Sequence, residues 1–183
     1  MDDSKIIAGL DLSLSRTGIA VLFPGFMSNE NLMDGICFEH IVVAKLKNND
    51  IQSRIERIIY ISDEIIKILN SYCVTHVAVE NYAYGRAGYG RVFDLAELGG
   101  HVKCEIFSKM NIIPDILQIS TIRKHLMGRC RRNNPKGQVL SFLKRVGIVV
   151  NNNDEADAFA VALKLFDDIN NNKMPSLSKY WRG

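Results

Sequence analysis

The chain has 183 residues, 47% of them apolar and 23% charged, with a net charge of +3. That is the balance of one soluble globular domain, long enough to bury a core. Its longest apolar runs fall far short of a membrane span and Met1-Asp-Asp-Ser-Lys5 is no signal-peptide start, while Cys37, Cys73, Cys104 and Cys130 lie too far apart for a CxxC zinc site or a disulfide frame.

Ile6–Asp11 and Thr17–Phe23 read as strands joined by the polar turn Ser13–Gly18, and Ile36–Ala44 reads as a third strand. Ile51–Asn70 has helical periodicity, with Ile51, Ile55, Ile58, Ile59, Ile65, Ile66 and Leu69 on its apolar face. Thr75–Glu80 is a short β-branched strand, and Asn81–Gly90 a loop rich in Gly and Tyr. Arg91–Met110 is helical with Gly99-Gly100 at its middle, where each Gly costs roughly 1 kcal/mol, so close helix approach is expected, within the subunit or across a dimer. Ile113–Ile119 is a fifth strand, with Pro114 at an edge. Ser120 is placed to cap a short helix, Gly128–Asn134 forms a basic loop, Pro135 opens another helix at its first position, and Asn153 caps the last. The order, βββαβαβαα, implies an α/β fold: a five-stranded mixed sheet with helices on both faces. Residues 1–173 form the domain and 174–183 a detachable tail.

Acidic residues punctuate this order in three places. Asp11 ends the apolar run Ile6-Ile-Ala-Gly-Leu, Glu80 ends Val77-Ala-Val, and Asp154 and Asp157 open the last helix. Residues three apart share a helix face, so the two aspartates point together and Glu155 points away. A carboxylate at the end of a core-bound strand costs free energy unless a positive group meets it. Hard divalent cations, Mg2+ or Mn2+, take oxygen ligands, and a pair of them is a device for hydrolysing phosphodiesters. Taken singly, each acid has a plain structural role: a turn residue, a strand-end ion pair, a cap or a first-turn dipole residue.

Basic residues are as unevenly placed. No Asp or Glu lies between Ile116 and Asn153, whereas Arg123, Lys124, Arg129, Arg131, Arg132, Lys136, Lys144 and Arg145 crowd that stretch. Elsewhere fifteen basic residues face twenty acidic ones. A basic segment on an acidic chain is the footprint of a polyanion-binding surface, with a solvated helix face as the alternative.

The segments Gly9-Leu-Asp-Leu-Ser-Leu-Ser-Arg-Thr-Gly18, Val79-Glu80 and Asp154-Glu-Ala-Asp-Ala-Phe-Ala160 resemble the three catalytic blocks of RuvC-type Holliday-junction resolvases, within the RNase H-like superfamily. Leu95-Ala-Glu-Leu-Gly-Gly100, Ile122–Gly128 and Pro135–Val139 match the same family in order and spacing. Leu12-Ser13 depart from the Pro and small residue that usually follow the family's first aspartate, the mark of a divergent, phage-like member. The resemblance implies a cytoplasmic endonuclease, of a bacterium or a phage-infected host, that cuts four-way DNA junctions by paired nicks as a homodimer. It further implies two Mg2+ ions, with Mn2+ as the alternative, held by Asp11, Glu80, Asp154 and Asp157. Arg123 and Lys136 fall where the family holds the DNA backbone, joined by Lys124, Arg129, Arg131 and Arg132 of the basic stretch. Tyr82, Tyr84 and Tyr89 are candidates for stacking on bases unpaired at a branch point. Ser13, Ser15 and Thr17 are candidate donors to the phosphate, with hydroxyls that form their own turn as the alternative. Rival readings are a broader nuclease of branched DNA or RNA–DNA hybrids, an actin-like ATPase fragment, and a DNA-binding protein without catalysis.

Overall fold

The computed structural model describes residues 5–28, 31–43, 50–81, 89–127 and 137–171, with the side chains of 89–91 left aside. The strands are β1 (Ile7–Asp11), β2 (Arg16–Leu22), β3 (Ile36–Val42), β4 (His76–Glu80) and β5 (Asp115–Leu117). The helices are α1 (Ile51–Ser71), α2 (Tyr89–Met110), α3 (Ile119–Met127), α4 (Gln138–Arg145) and α5 (Asn153–Ile169). The strands form one sheet in the order β3-β2-β1-β4-β5. β1, β2 and β3 run as an antiparallel meander, while β4 lies parallel to β1 and β5 parallel to β4. The mixed five-stranded sheet with helices on both faces is therefore the observed fold. Three helices follow β5, one more than βββαβαβαα counts.

Side chains alternate between the two faces of the sheet. Ile7, Ala20, Leu22 and Ala78 point into a core shared with α3, α4 and α5. Ala8, Leu10, Ile19, Val21, Val77 and Val79 point into a second core under α1 and α2. Continuous apolar runs in β1 and β4 are what a strand covered on both sides requires.

Several local expectations are corrected. On α1, Ile58, Ile61, Ile65, Ile66 and Leu69 are buried, but Ile51, Ile55 and Ile59 stand exposed, because the first turns of the helix carry that stripe beyond the buried core. Only Asp115–Leu117 pair as β5, since Pro114 cannot donate to a ladder and the backbone carbonyl of Gln118 already accepts the first amides of α3. Gln118 thus stands where Ser120 was expected to start that helix. Asn152, not Asn153, caps α5, its side chain accepting from the Glu155 amide at 2.9 Å. The expected start of a helix at Pro135 and the tail 174–183 lie outside the described residues.

Candidate active site

Asp11 and Glu80 close neighbouring parallel strands whose register pairs Leu10 with Val79. One step further brings the two acids side by side at the same end of the sheet. Counting by twos, Asp11 shares a face with Ile7 and Glu80 shares one with Ala78, both in the α5 core. Both carboxylates therefore lie on the α5 side.

Two glycines let α5 come down onto them. A Cβ at Gly9 would lie 2.3 Å from the carbonyl oxygen of Ala158 and from the amide nitrogen of Ala162. At Gly18, the partner of Asp11 across β1 and β2, it would lie 2.3 Å from the carbonyl oxygen of Asp154. The first turn of α5 thus rests against the strand pair that carries Asp11. Around the helix, Glu155 and Phe159 turn toward β3, where they approach His40 and Phe38. At 100° per residue, Asp157 falls on the opposite flank, the one toward Glu80.

The start of α5 is fixed by a residue that periodicity alone set aside. Glu155 is 2% exposed. Its carboxylate accepts from the Asn151 backbone amide at 2.8 Å and from the side-chain amides of Asn151 and Asn152. With Asn152 capping the Glu155 amide, the two residues tie the helix start reciprocally. The spacing Asn-x-x-Glu was the signal that could have found it. Glu155 does point away from Asp154 and Asp157, but inward, as an anchor for the turn that bears them.

All four candidate acids are partly exposed, so each keeps access to solvent. Asp154 has the guanidinium of Arg16 at 3.7 Å, and Asp11, Glu80 and Asp157 also have partners. Among the described residues no group of three or more His, Cys, Asp or Glu side chains is close enough to share an ion. The fold brings Asp11 beside Glu80 and seats Asp154 and Asp157 above them on one helix, without gathering the carboxylates into a single cluster. Their hard oxygen donors suit Mg2+ or Mn2+.

The turn between β1 and β2 is built from its own hydroxyls. Thr17 is buried, donates to the Ser13 carbonyl at 2.9 Å and accepts from the Ser13 amide at 3.2 Å. It braces the turn and is not open to a phosphate. Ser13 Oγ accepts from the amides of Ser15 and Arg16 and pairs with Ser15 Oγ at 3.2 Å.

Of the basic candidates, Arg123 and Lys124 lie on α3, which starts two residues past β5, at the same sheet end as Glu80. His125 bonds the buried Asp167 of α5 at 2.8 Å, and Ile122 and Leu126 are buried, so α3 is held rigidly on α5. Lys124 is exposed. Arg123 has its Nε buried with no hydrogen-bond partner among the described residues. A buried cationic N–H without an acceptor is costly. Arg129, Arg131, Arg132, Lys136, Tyr82 and Tyr84, and the side chain of Tyr89, lie outside the described residues.

No family model and no curated protein matches the chain by sequence. Solved structures do. RuvC of Thermus thermophilus bound to a Holliday junction substrate matches with a TM-score of 0.67 at 16% identity, over 93% of this chain and 99% of that one. A second Thermus thermophilus RuvC structure gives 0.66 at 18% identity over the same shares. The Fowlpox virus resolvase, in complex with Holliday junction DNA, gives 0.53 at 13% identity over 90% and 98%. With its mixed sheet and its covering helices, the chain has the RNase H-like fold of the RuvC-type Holliday junction resolvases.

Proposed function

We propose that this protein is a metal-dependent endonuclease that cuts four-way DNA junctions by paired, symmetric nicks. The observation that carries the reading is the placement of Asp11 and Glu80 side by side at the strand ends, under the α5 turn that bears Asp154 and Asp157. A non-catalytic DNA binder gains nothing from four carboxylates facing phosphates. Asp11, Glu80, Asp154 and Asp157 would hold the metal, Mg2+ or Mn2+. Two such ions, when bound, would supply an activated water and stabilise the leaving oxygen of a phosphodiester. The protein's own part is to hold its acids at one sheet end and to receive the DNA backbone on Arg123, Lys124 and the basic residues that follow.

Paired cuts call for two sites in one particle, which a C2 homodimer supplies. Two features support that state. Ile51, Ile55 and Ile59 leave an apolar stripe uncovered on α1, and Phe93 of α2 is also exposed. Among the described residues, nothing lies within 4 Å of the position a Cβ of Gly100 would take, its own helix backbone aside. Light scattering with and without DNA tests the dimer: a monomer in both conditions that still makes paired cuts overturns it.

Parallel cleavage of four-way junction, fork, flap, duplex and RNA–DNA hybrid substrates tests the activity. Selective cutting of the junction is the expected result, and equal cutting of forks, flaps or hybrids would favour the broader nuclease. Glu80→Gln should abolish cutting while keeping or strengthening junction binding, because a negative charge near phosphate is removed. Near-normal cleavage by that variant removes Glu80 from the site.

A further inference from the structure

A buried imidazole–carboxylate pair lies away from the candidate active site. The side chain of Asp167, near the end of α5, is 0% exposed, and its Oδ2 lies 2.8 Å from Nε2 of His125, in the last turn of α3. A carboxylate can only accept, so Nε2 of His125 is the donor. Asp154 and Asp167 stand on one unbroken helix, separated by a rise of about 20 Å. That helix therefore bears two candidate metal-binding acids in its opening turns and, at its other end, a group that holds α3. In turn α3 carries Arg123 and Lys124.

Apolar packing leaves one freedom of α3 loosely set. Its buried side chains, Ile122 and Leu126, are four residues apart and so lie one above the other on a single line. Apolar contact along one line is non-directional and tolerates a roll of the helix about its axis. A hydrogen bond does not, because it weakens steeply with angle. His125 stands beside that line, so its bond to Asp167 fixes the roll. A helix with its side chains has a radius of about 6 Å, so a roll of about 10° moves a side-chain tip by roughly 1 Å. Arg123 moves with the helix, and its Nε is buried without a hydrogen-bond partner among the described residues, so its stem has little slack to correct the error. Stability is a weak reason for such a pair, since apolar residues of similar volume often serve a buried site equally well.

We infer that His125 and Asp167 are a positioning pair, which locks the roll of α3 and thereby aims Arg123 at the DNA backbone. The inference rests on the nuclease reading above and adds to it residues that touch neither metal nor DNA. Through this bond the acids that would hold the metal and the cation that would hold the phosphate are referred to one helix, α5. The distance between metal and phosphate is then set by a rigid element and not by a loop.

The test measures binding of the full-length protein to a fluorescein-labelled four-way junction over a range of salt, in EDTA so that no cutting intervenes. His125→Leu combined with Asp167→Leu replaces the pair with apolar side chains, and thermal melting should place its midpoint near that of the wild type. Its affinity should nevertheless fall roughly tenfold, the scale of one charge-assisted hydrogen bond, and its log–log salt slope by about one unit. Asp167→Asn, whose amide oxygen still accepts from Nε2, should keep both values. Adding Arg123→Ala to the double-leucine protein should change neither further, because the two lesions remove the same contact. If the double-leucine chain does not fold, His125→Met, assayed well below its own midpoint, gives the same two readings and decides the matter. Wild-type affinity and slope in the folded variant, or a full additive loss from Arg123→Ala, overturns the positioning role and leaves the pair a structural one. A wild type that binds no DNA overturns the nuclease reading, and this inference with it.

Discussion

The two faces of the sheet are packed by opposite means. On one, α5 lies against backbone, and Gly9 and Gly18 have no room for a β-carbon. On the other, α1 and α2 are held off by large, fully buried side chains: Ile61, Ile65, Leu69, Leu98 and Ile106. The first arrangement gives up apolar side-chain burial at the contact and gains a fixed, short distance between helix and strands. Both faces bury an apolar core, with Phe26, Phe159 and Leu126 fully buried on the α5 side. The close backbone contact is what brings α5 down to the acids.

Substitutions can break that contrast. Gly18→Ala puts a β-carbon against the backbone of Asp154. Lifting that turn by even about 1 Å should lower cleavage on the order of a hundredfold, with a stability loss of about 1–3 kcal/mol from overpacking. Single-turnover cutting and denaturant titration measure the two effects, and a wild-type rate would mean that close approach does not set the site. Leu69→Ala, on the opposite face, should cost about 2–5 kcal/mol of stability. Its cleavage rate per folded molecule should stay at the wild-type value when assayed well below the lowered midpoint. A rate loss beyond the unfolded fraction would show the faces to be coupled.

Arg123→Ala sharpens the picture at the sheet end itself. Binding to all DNA forms should weaken, and the log–log salt dependence should fall by about one unit for the lost phosphate contact. An unchanged slope in a fluorescence-anisotropy titration would leave Arg123 a structural residue.

The smallest effect is expected at the far end of α1. Tyr72 bonds Cys37 Sγ at 2.9 Å and donates to Glu39 at 2.7 Å. The bond to Cys37, then the bond to Glu39 and burial, push the phenol well above its ordinary 10.0. A raised folded-state value means that the neutral phenol is favoured by folding. Its contribution is complete below pH 10 and fades only as pH rises through the higher folded value. An ultraviolet titration should therefore show one tyrosine ionising after the others, and Tyr72→Phe should remove that late step. Ionisation of Tyr72 together with the rest would show that these bonds do not hold in solution.

Strand and helix identities were legible because their periods are written in apolar residues: unbroken in β1 and β4, which are covered on both sides, and helical in α1 and α5. Asp11, Glu80, Asp154 and Asp157 were legible for the same reason, as charges ending or opening such runs. The anchor role of Glu155 was not, since periodicity reports which way a side chain points and not whether a cap awaits it there. The bracing role of Thr17 was one of two open readings, since its hydroxyl looks the same in sequence whether it faces a phosphate or its own turn. The exposure of Ile51, Ile55 and Ile59 also escaped, because a repeating stripe says nothing about where the surface covering it ends. Sequence by itself determined the order of the strands and of the helices between them, the positions of the acidic residues and the basic stretch. The tertiary structure alone decided the seating of α5 on two glycines and the register that sets Asp11 beside Glu80. Each of these depends on distances between segments far apart in the chain, which no local pattern encodes.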